Sequence, residues 1–215
     1  MSKLIHNDRG VIGLTLSQIG LIIATGIILA AVFSFIYYNN WQRQAELKNI
    51  ATGFTIMVEG MDTRFFENTT LYFFPDKDYH YHVSISTEYI IINADGIWDN
   101  KFSVKERFLI RPWPRINDPD WNNGEQLHSY LKASYGRSGN KTNPINSSDI
   151  TSVKNELKIE KEQDEQTLAY NPFYVDNYKP VYIEKIFIYY DTNGDKSWNK
   201  QNDEKQGFII IYQKT

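Results

Sequence analysis

The densest run of oxygen-bearing side chains lies near the C-terminus, where residues 191–205 read DTNGDKSWNKQNDEK. Asp191, Asn193, Asp195, Ser197 and Asn199 fall on alternate positions. The ligands of a calcium loop have this spacing, because a hard cation of that size gathers about six to eight oxygens at short range. Asp203 adds a carboxylate just after the position where such loops carry a bidentate glutamate, and Lys196 stands where they turn on glycine. Two readings are open for these six residues. One is a weak Ca2+ site whose cation stiffens the loop and relieves repulsion among its carboxylates. The other is an Asx-rich hairpin loop that closes on itself.

His80 and His82 alternate with Tyr79 and Tyr81, so the pair shares a strand face and offers two nitrogens to a metal. His6 and His128 supply no evident third ligand, which leaves a polar strand face as the simpler reading. Trp113 and Trp121, set among Asn and Asp, are either an aromatic platform for a sugar or protein partner, or pins that hold a long loop to the body.

Other chemistry is missing from the sequence. There is no G-x-S-x-G elbow, no H-E-x-x-H helix and no dinucleotide fingerprint. Lys141 and Thr142 follow Asn140, where a phosphate loop requires glycine, so no nucleotide is expected. With 0 cysteines there is no thiolate nucleophile, disulfide or thiolate metal site. A net charge of −3 gives no cationic field for nucleic acid. The reading is a protein that is not an enzyme.

The elements that carry these residues begin with an anchor. Residues 11–38 read VIGLTLSQIGLIIATGIILAAVFSFIYY, 28 positions without a charge, whereas about 20 helical residues span a hydrocarbon core. A cleavable secretory signal has an apolar stretch of only about 7 to 15 residues. The run reads as a single membrane span. Of the 23 Lys and Arg, only Lys3 and Arg9 lie in the first forty residues, and of the 26 Asp and Glu only Asp8 does. The remainder is a mildly acidic body of ordinary domain size.

After the span, Leu47, Ile50, Phe54, Met57, Met61 and Phe65 recur at steps of three and four, which predicts an amphipathic continuation of the same helix. Beyond residue 66 the period changes to alternation. Strands rich in Tyr, Phe, Ile and Val are predicted over 71–74, 79–86, 88–93 and 101–110, with turn signals at Pro75-Asp76 and Asp95-Gly96. A polar excursion over 111–149, a charged helix over 149–165 and closing strands over 181–190 and 207–213 follow. The expected fold class is α+β, a membrane-spanning helix continuing into an antiparallel head whose meander packs on the helical stripe. In residue ranges this gives a polar tail 1–10, a transmembrane helix 11–38, an amphipathic extension 39–66 and a head 67–215.

The start of the apolar run sharpens this picture. The chain opens MSKLIHNDRG, and the charge-free helix begins directly after Arg9-Gly10. This arrangement resembles the class III signal of type IV pilins, most closely the archaeal pilin-like proteins. The resemblance covers roughly the first sixty residues. It implies that a prepilin peptidase cuts between Gly10 and Val11, that other pilin-like subunits are partners, and that a β-rich head stands outside the membrane, in the manner of pilins. Bacterial members usually carry Glu at the fifth mature position, and this chain has Thr15 there. Archaeal members often lack that glutamate.

Lys3 and Arg9 before the span balance Arg43 and Lys48 after it, so charge does not choose an orientation. Three N-x-S/T sequons, at Asn68, Asn140 and Asn146, all lie in the head and suit an extracellular, glycosylated surface. The expected function is a pilin-like structural subunit, a minor pilin or pseudopilin, in the cell membrane or a surface filament. The alternative is a monomeric single-span surface protein whose head binds a glycan or envelope partner.

Overall fold

The chain alternates long apolar stretches with polar turns, and its elements follow that alternation. The computed structural model describes residues 8–95, 101–115 and 120–214, with side chains described from residue 16 onward. The expected turn at Asp95-Gly96 runs past the described residues, as does His6. The first element is one helix, α1 (Asp8–Asp62), longer at its start and shorter at its end than expected. Its last turn closes when the Arg64 N–H donates to the Met61 carbonyl and the Thr63 hydroxyl donates to the Gly60 carbonyl. Phe65, expected on the helical stripe, therefore falls beyond the helix and is 88% exposed.

The chain forms two compact units, Met1–Ala45 and Glu46–Thr215. The second is the α+β head. Its strands are β1 (Asn68–Tyr72), β2 (Tyr81–Ile85), β3 (Tyr89–Asp95), β4 (Lys101–Arg107), β5 (Trp113–Pro114), β6 (Phe173–Val175), β7 (Val181–Tyr190) and β8 (Glu204–Tyr212). The helices α2 (Gly124–Tyr135) and α3 (Ile150–Tyr170) separate β5 from β6.

The expected meander is present only in part. β2, β3 and β4 form it, in a four-stranded sheet of order β4-β3-β2-β6. β1 leaves it for a second sheet, β1-β7-β8-β5, in which Thr70 lies opposite Ile183 and Ile186 opposite Phe208. Every pairing is antiparallel except β5 with β8. The physical reason for two sheets is legible in the apolar runs IFIYY of β7 and FIIIY of β8, which have no polar face to give to water.

Those two strands divide two cores between them. Val181, Ile183, Ile209 and Ile211 join Leu47, Ile50, Ala51, Phe54, Val58 and Met61 of α1 and the apolar residues of the β2–β3 sheet. Ile186, Ile188, Phe208 and Ile210 face the other way and join Trp113, Trp121, Leu127, Leu131, Val153 and Leu157. The stripe read from the helix period is thus the wall of the first core, with Met57 packed at its margin. Tyr72 ties the two together, its hydroxyl donating to the Ile50 carbonyl while its ring meets Phe54 edge-on at 5.1 Å.

The polar excursion holds a helix that the sequence reading passed over. Asn123 caps α2 by accepting the Gln126 N–H at 2.9 Å, and Gly136 ends it at φ 71° with its N–H donating to the Lys132 carbonyl. Leu127 and Leu131, one turn apart, are its buried face. The charged helix expected over 149–165 extends to Tyr170, because Leu168 buries against the first core before Asn171-Pro172 stops it.

Candidate functional site

Residues 16–38 of α1 carry no charge and expose apolar side chains on every face. Leu21, Ile22, Ile27 and Phe35 are 69, 71, 65 and 65% exposed. A helix apolar all round belongs in a protein core or in a membrane, and nothing in this unit covers it. Among the described residues it is one helix long and apolar enough to cross a membrane. The Thr25 hydroxyl donates to the Leu21 carbonyl at 2.8 Å and so is satisfied within the helix, as a hydroxyl in an apolar medium must be. Tyr37, Tyr38 and Trp41 close the run, with the Tyr38 and Trp41 rings 6.3 Å apart. Aromatic residues gather in this way where membrane helices meet water. The side chains of Arg9, Val11 and Thr15 and the surroundings of Gly10 lie outside the described residues.

In the head, the loop between β7 and β8 is closed by its own carboxylates. Asp191 accepts the N–H groups of Gly194 and Lys196 at 2.7 and 2.8 Å. Asp195 accepts the N–H and hydroxyl of Ser197 and the side-chain amide of Asn193. Asp203 accepts the N–H and hydroxyl of Thr192 and the N–H of Asn199. These donors favour the ionised form, so the Ser197 N–H holds Asp195, and the Asn199 N–H holds Asp203, below the ordinary carboxylate range. Lys196, at the position where a calcium loop has glycine, adopts φ 67°, the left-handed region. Among the described residues no group of three or more His, Asp or Glu is set to hold a metal.

His80 and His82 do share a face, with ring centroids 4.7 Å apart in an edge-on contact, and both are exposed. Trp113 and Trp121 also meet edge-on, at 4.9 Å, but each is only 1% exposed. They pin the loop to the body and offer no platform to a sugar. Packed over Trp121 at 3.8 Å is the guanidinium of Arg115, a residue the sequence reading did not single out. Arg115 donates to Asp164 at 2.6 Å, is paired with Glu160 at 2.7 Å, and donates through Nε and Nη2 to the Trp121 carbonyl. The Trp113 indole N–H shares the Asp164 carboxylate at 2.6 Å. Glu160 and Asp164 are four apart on α3 and so lie on one face. The signal for this cluster is that spacing, but a partner some fifty positions upstream is not readable from residue types.

A second, half-buried tie joins α2 to α3. The hydroxyls of Tyr130 and Tyr135 both donate to Glu156. The Glu156 bond raises Tyr130 to about 12, and burial with the same bond raises Tyr135 to about 12.

Beside α2 lies a polar cleft of about 570 Å³ whose walls include Asn68 and Thr69 of β1, His128 and Lys132 of α2, and Asn140. Two of the three sequon asparagines therefore open on one cleft. Asn140 sits in a turn in which its side-chain carbonyl accepts the Thr142 hydroxyl at 3.0 Å and the Asn143 N–H at 2.8 Å. Asn146 lies in the turn before α3, where its backbone carbonyl accepts the Asp149 N–H. Asn68 is the first residue of a paired strand, opposite Lys185.

With this geometry in hand, comparison with other proteins adds no relative: no family model, no curated protein and no solved structure matches the chain.

Proposed function

We propose that this protein is a membrane-anchored, pilin-like structural subunit of the minor-pilin or pseudopilin kind. The observation that carries the reading is the division of labour within α1. Its uncharged first part leaves Leu21, Ile22 and Ile27 uncovered, whereas Leu47, Phe54 and Val58 are fully buried in the head. A water-soluble protein gains nothing from an uncovered greasy helix, since each buried large apolar side chain is worth about 1.5–3 kcal/mol. Lipid, or the matching helices of other subunits, supplies the missing cover. The Arg9-Gly10 junction before the run, which resembles a class III signal, supports processing by a prepilin peptidase. In this account the head is displayed outside the cell and the role is structural rather than catalytic.

A monomeric surface protein with a binding head is the competing account, and the polar cleft beside α2 is the feature that favours it. The N-terminal sequence of the membrane-extracted protein separates the two. Val11 as the first residue is the expected result. An intact Met1 in cells with active prepilin peptidase contradicts the pilin-like pathway.

A further inference from the structure

Two imidazoles on one strand face can hold a transition ion between them, because imidazole nitrogen suits Zn2+, Ni2+ and Cu2+ and alternate residues of a strand share a face. His80 and His82 are so placed, and the residue between them is fixed. Tyr81 is 5% exposed, its hydroxyl donates to the Pro75 carbonyl, its own carbonyl accepts the Asn177 side-chain amide at 2.8 Å, and it lies opposite Ala94 of β3. The two histidines stand on the other, exposed face, so a ligand has only their side-chain torsions left to order.

Their rings already lean together. The centroids are 4.7 Å apart, closer than the roughly 6.6 Å between alternate Cα positions along a strand. An ion about 2.0–2.1 Å from one nitrogen of each ring, with about 90–110° at the metal, sets two imidazole centroids about 4.5–5.3 Å apart. The observed spacing falls inside that window. Among the described residues neither ring makes a hydrogen bond, so none of them has to give up an imidazole nitrogen.

The surrounding charges favour a cation. Asp76 and Asp78 line the same small hollow as His80, and Lys77 beside them is paired with Glu46 at 3.2 Å. On β3 the ladder sets Asn93 beside His82 and, one step on, Asp95 beside His80. Lys101, opposite Asp95 on β4, is a strand further away. Asp176 and Lys179, just beyond β6, face each other at 3.7 Å.

We propose that His80 and His82 form a surface chelate for a divalent late first-row ion such as Zn2+, with water in its remaining positions. Two protein ligands hold the ion exchangeably, unlike the closed four-ligand sites that build zinc into a fold. The site is separate from the loop between β7 and β8, whose oxygens suit harder cations. It stands whether or not the apolar helix assembles with others.

Metal binds neutral imidazole, so the full-length chain in detergent micelles is titrated with ZnCl2 just above neutral pH. The ring resonances of His80 and His82 are expected to shift together and to saturate at one ion per chain. Loss of an outer-shell partner alone costs about 10–100-fold in metal affinity, so His80→Gln and His82→Gln are each expected to weaken binding by at least about tenfold. His6→Gln and His128→Gln are expected to leave it unchanged. Binding that survives either strand substitution, or that follows His6 or His128 instead, overturns the proposal, as does a wild-type chain with no saturable shift below millimolar ZnCl2. Excess MgCl2, which seeks carboxylate oxygen, is expected to leave the bound Zn2+ in place. Its displacement would assign the ion to Asp76 and Asp78 and contradict the chelate.

Discussion

Lys185 of β7 reaches the end of α1 and binds Asp62 twice, at 2.6 Å to the carboxylate and 3.2 Å to the backbone carbonyl. The last turn of α1 has no basic residue of its own, so the cation that the C-terminal end of a helix dipole favours comes from the sheet. Lys185 is 5% exposed, and its carbon stem lies against Gly207 of β8, where a Cβ would come within 3.2 Å of Lys185 Cε. The C-terminal end of α1 is thereby fastened to β7, which lies between β1 and β8 in its sheet.

Replacing this lysine by methionine keeps the stem and removes the charge. Asp62 is half in water, so the loss is smaller than for a fully buried pair, about 2 kcal/mol. Denaturant unfolding of Lys185→Met should show a lower midpoint with an unchanged slope. An unaltered midpoint would mean that the Lys185–Asp62 contact does not hold the helix end.

Arg115 is the more expensive residue to lose. Arg115→Leu leaves the carboxylates of Glu160 and Asp164, 23 and 28% exposed, without their cation and costs about 3–4 kcal/mol. Adding Glu160→Leu and Asp164→Leu to the same chain is expected to recover most of that loss, because the unpaired charges go with it. Failure of the triple variant to recover stability would show that the cluster acts through shape rather than charge.

The β7–β8 loop carries its own pH dependence. Asp195 and Asp203 are held below the ordinary value of 3.8 by loop N–H groups. A carboxylate depressed in the folded state contributes its stabilisation above the ordinary value and loses it as pH falls through the lower folded value. The amide resonances of Thr192, Ser197 and Asn199 are expected to hold steady at neutral pH and to shift as the pH drops below 3.8. Resonances constant down to about pH 2 would refute this. Calcium titration separates the two readings of the same loop: resonances unchanged at millimolar calcium are the result expected of a loop closed by its own hydrogen bonds, and a saturable shift is the result expected of a cation site.

The sequons differ in backbone setting. Asn140 and Asn146 lie in turns, and Asn68 begins a strand paired through Lys185. A modifying enzyme acting on the folded head reaches turns more readily than a ladder. Mass spectrometry of the native protein should find glycan at Asn140 or Asn146 and a bare Asn68. Glycan at Asn68 alone would reverse the order.

What the sequence disclosed was periodic and local. The charge-free run, the stripe from Leu47 to Met61 and the strand β7 each repeat one residue class over many positions, and each lies where the period puts it. What it concealed was either brief or distant. α2 shows two buried leucines among polar neighbours, and its caps Asn123 and Gly136 were the readable signs. β1 is parted from β7 by most of the head, so nothing in NTTLY told that it would leave the meander. Arg115 and Lys185 find their partners 49 and 123 positions away, and charge alone does not name them.

The central claim is that the apolar part of α1 holds the chain in a membrane with the head outside. Protease added to intact cells tests it most directly. The account predicts that the head is degraded from outside while a fragment containing residues 16–38 stays in the membrane pellet. A head fully protected until the cells are broken, or a product recovered in the soluble fraction, would contradict it.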